Sequence, residues 1–233
     1  MCIRDRDNDG DKDIVLGNWG KNSKLSASAE RPLELYVKDF DNNQKTDLIF
    51  NWYAPLEKKL YPFASKMDIT AQMPHLKKRI LKYEEYAKLD YQNLFTDQEK
   101  AGAMFKQTKE LSNAILRNGE NGWKLEALPH EAQIAPVFAV ELVDLNGDDR
   151  VDILLGGNFH GLKPEMGRQD SGRGLVLLQK EDGNFQALSP EESGLNIRGE
   201  IRDVTILRDS AREPIFLIAR NDDTLLAYRL NIE

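Results

Sequence analysis

Apolar positions in this chain fall in short runs, and three of the runs directly follow a loop crowded with side-chain oxygens. The loop from Asp144 to Asp152 leads into Ile153-Leu154-Leu155-Gly156-Gly157-Asn158. In the same way, Asp5 to Asp13 leads into Ile14-Val15-Leu16-Gly17-Asn18, and Asp39 to Asp47 into Leu48-Ile49-Phe50-Asn51. Short apolar runs bounded by turn residues read as strands. Leu33-Glu34-Leu35-Tyr36-Val37-Lys38 alternates with period two, the pattern of a half-buried strand running into the second loop. Further strands are expected over 13–19, 47–53, 108–117 and 123–128, the last two joined by a turn over 118–122. Stretches 135–143, 152–158, 174–179 and 185–188 make a four-strand unit, and 201–207, 215–220 and 225–230 form a final set. Its turn, 208–214, sits where an acidic loop would be but carries only Asp209 and Glu213.

One stretch departs from this rhythm. Met73, Leu76, Ile80, Tyr83 and Ala87 recur at helical steps, with Pro74 suited to the first turn. Thr96-Asp97-Gln98-Glu99 has the form of a capping box that starts another helix. Tyr83, Tyr86, Tyr91 and Phe95 are expected to pack these helices on the rest of the fold. The expected fold is therefore mainly β. Residues 1–233 would form a partial β-propeller of about three to four four-stranded antiparallel blades, with a helical insertion at about 64–106. No strand is expected before Asp5, so the natural chain is expected to begin upstream.

The loops carry the chemistry. Oxygen-bearing side chains stand at their first, third, fifth and ninth places: Asp5, Asp7, Asp9 and Asp13; Asp39, Asp41, Asn43 and Asp47; Asp144, Asn146, Asp148 and Asp152. Alternating oxygens on a tightly curled loop point inward, as the six to eight oxygen ligands of calcium require. The seventh place, Asp11, Lys45 and Arg150, offers its backbone carbonyl, which leaves its side chain free. The sixth place favours a residue tolerant of positive φ, for which Gly10 is ideal, Asp149 acceptable and Gln44 poor. With Asn43 in place of a carboxylate, the second loop ranks below the first and third. An EF-hand needs a bidentate Glu at position twelve and a helix after it, whereas Leu16, Phe50 and Leu155 stand there inside apolar runs. Acidic β-turns without a metal are the plainer reading of one such loop, and three at the same spacing argue against it.

Charge sharpens this picture. The formal net charge is −7, yet residues 57–110 hold 11 Lys and Arg against 8 Asp and Glu, so the deficit lies elsewhere, much of it in the loops. Three calcium ions would bring the net charge to about −1. Such a balance excludes the basic footprint of a nucleic-acid binder. No apolar run reaches the roughly 18 residues of a membrane span, and residues 1–13 are charged where a leader would be apolar. The lone Cys2 has no partner for an internal disulfide.

The unit Asp-x-Asp-x-Asp-Gly-x-x-Asp followed by an Ile-Val-Leu-Gly run resembles the FG-GAP/VCBS repeat family, whose relatives include the integrin α-subunit propeller. Asn18 to Ser23, the helical insertion, Leu128 to Gln133 and Gly156-Gly157-Asn158 resemble bacterial proteins of this type found with ASPIC/UnbV-like modules. The resemblance implies a calcium-binding, seven-bladed propeller exported to the periplasm, the outer surface or the medium. Gln44, Asn43 and the ligand-free last set depart from the family pattern.

Catalytic signals are weak. His75, His130 and His160 lack metal-ligand spacing, and Ser171 sits in no nucleophile elbow. Arg168, Asp170 and Arg173 read as a solvated connection, and Trp19, Trp52 and Trp123 as buried packing rather than sugar platforms. The expected function is a non-catalytic extracellular module that binds a protein or glycan ligand, with calcium in a structural role. The alternative is the propeller scaffold of a secreted carbohydrate-active enzyme.

Overall fold

The computed structural model describes residues 1–5, 10–54, 56–119, 122–208 and 214–229. Among these the chain is mainly β, with fifteen strands in four antiparallel sheets and a few short helices. The strands are β1 (Cys2–Arg4), β2 (Asp13–Leu16), β3 (Leu33–Lys38), β4 (Asp47–Ala54), β5 (Lys59–Pro62), β6 (Met104–Thr108), β7 (Ala114–Arg117) and β8 (Lys124–Ala127). There follow β9 (Val137–Val143), β10 (Asp152–Gly157), β11 (Leu175–Gln179), β12 (Phe185–Ala187), β13 (Ile201–Arg208), β14 (Pro214–Arg220) and β15 (Leu226–Tyr228). The helices are α1 (Lys66–Gln72), α2 (Tyr83–Tyr86), α3 (Tyr91–Leu94), α4 (Asp97–Lys100) and α5 (Pro190–Ser193). No helix among the described residues is long and apolar enough to cross a membrane.

The chain divides into two compact units, one of Met1–Lys24 with Leu111–Glu233, the other of Leu25–Glu110. The first unit holds three sheets, ordered β1-β2-β7-β8, β9-β10-β11-β12 and β13-β14-β15. In the first of these, Leu16 on β2 pairs with Ala114 on β7 across the whole inserted unit. The middle sheet is buried on both faces, and side-chain alternation along β10 explains how. Ile153 and Leu155 point into one cluster with Val15, Ile115 and Leu142, whereas Leu154 points into another with Ile201, Val204 and Phe216. β10 is accordingly buried at every residue. The first strands of the three sheets are neighbours, since β9 lies against both β1 and β13.

Buried polar side chains tie the connections to the sheets. At the end of β10, Asn158 Nδ2 donates to the carbonyls of Gly172 (2.9 Å) and Gly199 (2.8 Å), while its Oδ1 accepts from the Gly172 N–H (2.8 Å). One buried amide thus fixes the segments that lead into β11 and β13. Gly157 beside it has no room for a side chain, because a Cβ there would stand 1.7 Å from the Pro136 carbonyl oxygen.

The second unit is wider than the helical stretch. It contains a sheet ordered β5-β4-β3-β6, with Phe40 and Ile49 packed against Ile69, Met73, Leu76, Ile80 and Leu94 of the helical segments. The single helix expected from Met73 to Ala87 is instead broken into α1, a 3-10 turn over Pro74–Lys78, and α2. Pro74 disfavours helical geometry at Met73, which sits at φ −126° and ψ 85° and ends α1. Met73, Leu76 and Ile80 are nonetheless buried, whereas Tyr83 and Ala87, which complete the spacing, are exposed. The Thr96–Glu99 capping box forms as expected and starts α4, and Ser65 and Asp68 make another ahead of α1. Tyr91 and Phe95 are buried, while Tyr83 stays 64% exposed.

Two other expectations are corrected. A strand does lead into the first loop: β1 pairs Cys2, Ile3 and Arg4 with Val15, Ile14 and Asp13, and three residues were too few to show a period. Nor are the tryptophans buried. Trp19 and Trp52 are half-buried and Trp123, on the flank of edge strand β8, is 54% exposed.

Candidate metal centre

The described parts of the three acidic loops are built by one recurring set of backbone hydrogen bonds. The first-place carboxylate accepts from the sixth-place N–H in each: Gly10 to Asp5 (3.2 Å), Gln44 to Asp39 (2.8 Å) and Asp149 to Asp144 (3.0 Å). That bond curls the loop and demands positive φ at the sixth place, found at 93°, 69° and 64°. Gln44 adopts it although a Cβ makes it costly. In the two later loops the third-place oxygen accepts from the fifth-place N–H, Asn43 to Asp41 and Asp148 to Asn146, both at 3.2 Å. The fifth-place oxygen accepts in turn from the seventh-place N–H, Lys45 to Asn43 (2.8 Å) and Arg150 to Asp148 (2.9 Å). Asp7 and Asp9 of the first loop lie outside the described residues.

The ninth-place aspartates do different work from the others. Asp13, Asp47 and Asp152 are all buried. Asp47 accepts from the second-place Phe40 N–H (2.9 Å), and Asp152 from the second-place Leu145 N–H (2.9 Å). Their other oxygens reach beyond the loop, to Gln72 Nε2 of α1 (3.1 Å) and to the Gln179 N–H of β11 (2.8 Å). Asp13 accepts similarly from the Asn118 N–H (2.9 Å). Asp47 and Asp152 close their loops, and all three aspartates pin a loop end to a neighbouring segment. Burial above all, with the charges of Asp148 and Asp144 behind it, pushes the Asp152 carboxyl up against the pull of the Gln179 and Leu145 N–H groups.

The loops differ in how their carboxylates gather. Among the described residues, Asp39, Asp41 and Asp47 bring one oxygen each within 4.8 Å of one another. Calcium–oxygen bonds of about 2.3–2.6 Å place ligands on opposite sides of the ion about 5 Å apart, so this spacing fits such a cation. The third loop is organised otherwise. Arg150 is not free as expected: it pairs with Asp148 at 2.5 Å and donates from Nε to the Gln179 carbonyl (3.0 Å). Asn146 also turns its amide onto Asp148 (2.9 Å). Although burial opposes it, these partners hold the Asp148 carboxyl below its ordinary range. An internal cation thus supplies charge compensation in the third loop, for which the second loop has no counterpart among the described residues. Of the second and third loops, it is the second, with Asn43 in place of a carboxylate, whose three aspartates converge, and the first loop cannot be compared because Asp7 and Asp9 lie outside the described residues.

Compared with known proteins, the chain matches no family model, no curated protein and no solved structure. What it binds must be argued from its own residues.

Elsewhere in the first unit, Arg168 and Asp170, which read as a solvated connection, meet the ring of His160. Its Nε2 meets Asp170 Oδ1 at 2.8 Å, its Nδ1 meets Arg168 at 2.8 Å, and its N–H donates to Glu200 Oε1 at 2.7 Å. Glu200 is buried and also holds Arg202 (2.6 Å) and Asn221 (2.7 Å), while the Arg202 guanidinium lies 4.3 Å from the Phe138 ring centre. Glu200 stands forty residues from His160, so no local spacing announces this network. His75 pairs with Glu99 at 3.2 Å at the helix end, and His130 is exposed.

Burial pushes the Glu200 carboxyl up, but the His160 N–H, Asn221 and Arg202 outweigh it and hold the group below its ordinary value. A carboxyl depressed in the fold adds stability above its unfolded pKa and loses it as pH falls through the folded one. Glu200→Gln should therefore cost about 1–3 kcal/mol at neutral pH and progressively less in acid. Urea unfolding at pH 7 and at pH 3 measures both deficits. Equal deficits at the two pH values would show that the charge of Glu200 does not matter.

Proposed function

We propose that this protein is a calcium-stabilised β-propeller module that binds a ligand, protein or glycan, outside the cytoplasm. The observation that carries the reading is the convergence of Asp39, Asp41 and Asp47 on a loop whose backbone hydrogen bonds recur in the others. Three carboxylates held this close repel one another unless a cation joins them. Asp39, Asp41 and Asp47 would hold the ion in the second loop, with Asn43 and the Lys45 carbonyl as further oxygens. Asp144, Asn146, Asp148, Asp152 and the Arg150 carbonyl would do so in the third, and Asp5, Asp7, Asp9, Asp11 and Asp13 in the first. The ion supplies charge compensation and rigidity and takes part in no reaction. The blade reading is supported by three antiparallel sheets following one another along the chain, with first strands that are neighbours.

The enzyme-scaffold alternative rests on His160, whose ring is engaged by Asp170 and Arg168. Probing peptide and glycan arrays with the protein, alongside a screen for glycoside hydrolysis, separates the two readings. Saturable binding without turnover agrees with a binding module. Turnover that disappears in His160→Ala would overturn it in favour of an enzyme.

A further inference from the structure

The first unit contains a cavity of about 420 Å³ that none of the loops touches. That volume lies within the range of roughly 300–1,000 Å³ in which small molecules are bound. Its walls come from the turn before β9, the adjoining ends of β10 and β11, and the segment from β12 into α5. They are aliphatic, chiefly Ile134, Val137, Leu155, Leu175 and Leu188, and contain no aromatic side chain. A sugar ring presents a ring of hydroxyls and one apolar face, and needs a flat aromatic platform with many hydrogen-bonding groups. This lining offers neither.

Charge on the cavity decides what else an apolar occupant should carry. Glu131, Glu192 and Arg173 are its charged residues. Arg173 turns its guanidinium onto carbonyls of its own loop, those of Asp170 (3.2 Å) and Gly172 (3.3 Å). Glu192 accepts the Ser189 N–H with one oxygen (2.7 Å) in the α5 capping box, and that bond helps keep it ionised. The acidic groups therefore outnumber a cation already engaged with backbone oxygens.

We propose that this cavity binds a small cationic amphiphile, a compact aliphatic body bearing one ammonium group that faces Glu131 and Glu192. The inference goes beyond the protein or glycan binding proposed above and assigns this cavity a separate small ligand. Aliphatic walls take the body by burying its surface, and the acidic rim orients the amine. Ser171 lines the cavity and is exposed, so a bulky side chain there would obstruct the cavity.

The test uses the whole chain and three probes in isothermal titration: 1-aminoadamantane, adamantane-1-carboxylate and maltotriose. The amine should bind saturably, the carboxylate at least tenfold more weakly, and the sugar not at all. Ala187→Phe fills the cavity and should abolish amine binding. Ser171→Trp blocks it from an exposed position, so its effect is readable even if the first variant fails to fold. Glu131→Gln with Glu192→Gln keeps the capping geometry and should bring the amine down to the affinity of the carboxylate. No saturable amine binding, equal binding of amine and carboxylate, or indifference to Ser171→Trp would overturn the proposal. Repeating the titration with and without a chelator keeps the two ideas apart. Amine binding by a protein that takes up no calcium overturns only the calcium reading, and calcium uptake without amine binding overturns only this one.

Discussion

Calcium at about one hundred times its dissociation constant should stabilise the folded chain by roughly 2.7 kcal/mol for each independent site. Of the second and third loops, the second should contribute more, because Asp39, Asp41 and Asp47 converge and, among the described residues, no arginine or lysine pairs with them as Arg150 does with Asp148. That loop lies in the unit Leu25–Glu110, so calcium should act on the melting of this unit. For a unit of its size, such a gain raises the melting temperature by on the order of 10 °C. Asp39→Ala should abolish the shift, since Asp39 also orders the loop by accepting from Asn43 (3.0 Å) and Gln44 (2.8 Å). The variant should also melt lower in chelator, by about 1–2 kcal/mol for those two lost acceptors. The third loop, with Arg150 against Asp148, should respond to calcium less than the second. Differential scanning calorimetry in calcium and in chelator measures each of these effects.

Asp152→Ala should cost about 2–5 kcal/mol whether calcium is present or not. Its carboxylate is the buried acceptor for two N–H groups, Leu145 (2.9 Å) and Gln179 (2.8 Å), and both would be left without it. Asp152→Asn should cost nearly as much, because its amide nitrogen would face an N–H that needs an acceptor. Urea unfolding in chelator gives the number. A deficit that vanishes in chelator would make Asp152 a metal ligand alone and contradict its role in closing the loop.

Strand positions were largely legible because each acidic loop marks where a strand begins. Asp47, Asp152 and Asp13 are the first residues of β4, β10 and β2, and the apolar run after each is the strand itself. The four-strand unit 135–188 emerged as expected because its strands pair in chain order, each with the next, even across the long connection over 158–174. What the chain pattern did not show was long-range. Leu16 pairs with Ala114, and Leu33 pairs with Thr108, across stretches that local periodicity cannot join. The extent of the inserted unit, Leu25–Glu110, follows from that second pairing. Helix breaks were readable in principle, since Pro74 restricts the residue before it, but the regular apolar spacing of Met73, Leu76 and Ile80 concealed them.

At the loops, oxygen spacing identified the positions but not their division of labour. The ninth-place aspartates appear in the sequence as ligands like the others. Burial makes them anchors whose oxygens already serve Phe40, Leu145, Gln72 and Gln179. Arg150 read as an outward side chain, because its seventh place needs only a carbonyl. In the structure its length and charge return it to Asp148 two residues away. The aliphatic cavity left no trace, since its walls come from four separated segments.

Whether the second loop holds calcium is decided by calorimetric titration of calcium into the chelator-stripped chain, beside Asp39→Ala. The wild-type chain should bind saturably, and the tightest site should be missing from the variant. No saturable binding by the wild-type chain, or the same binding isotherm for Asp39→Ala, would contradict a calcium site in that loop.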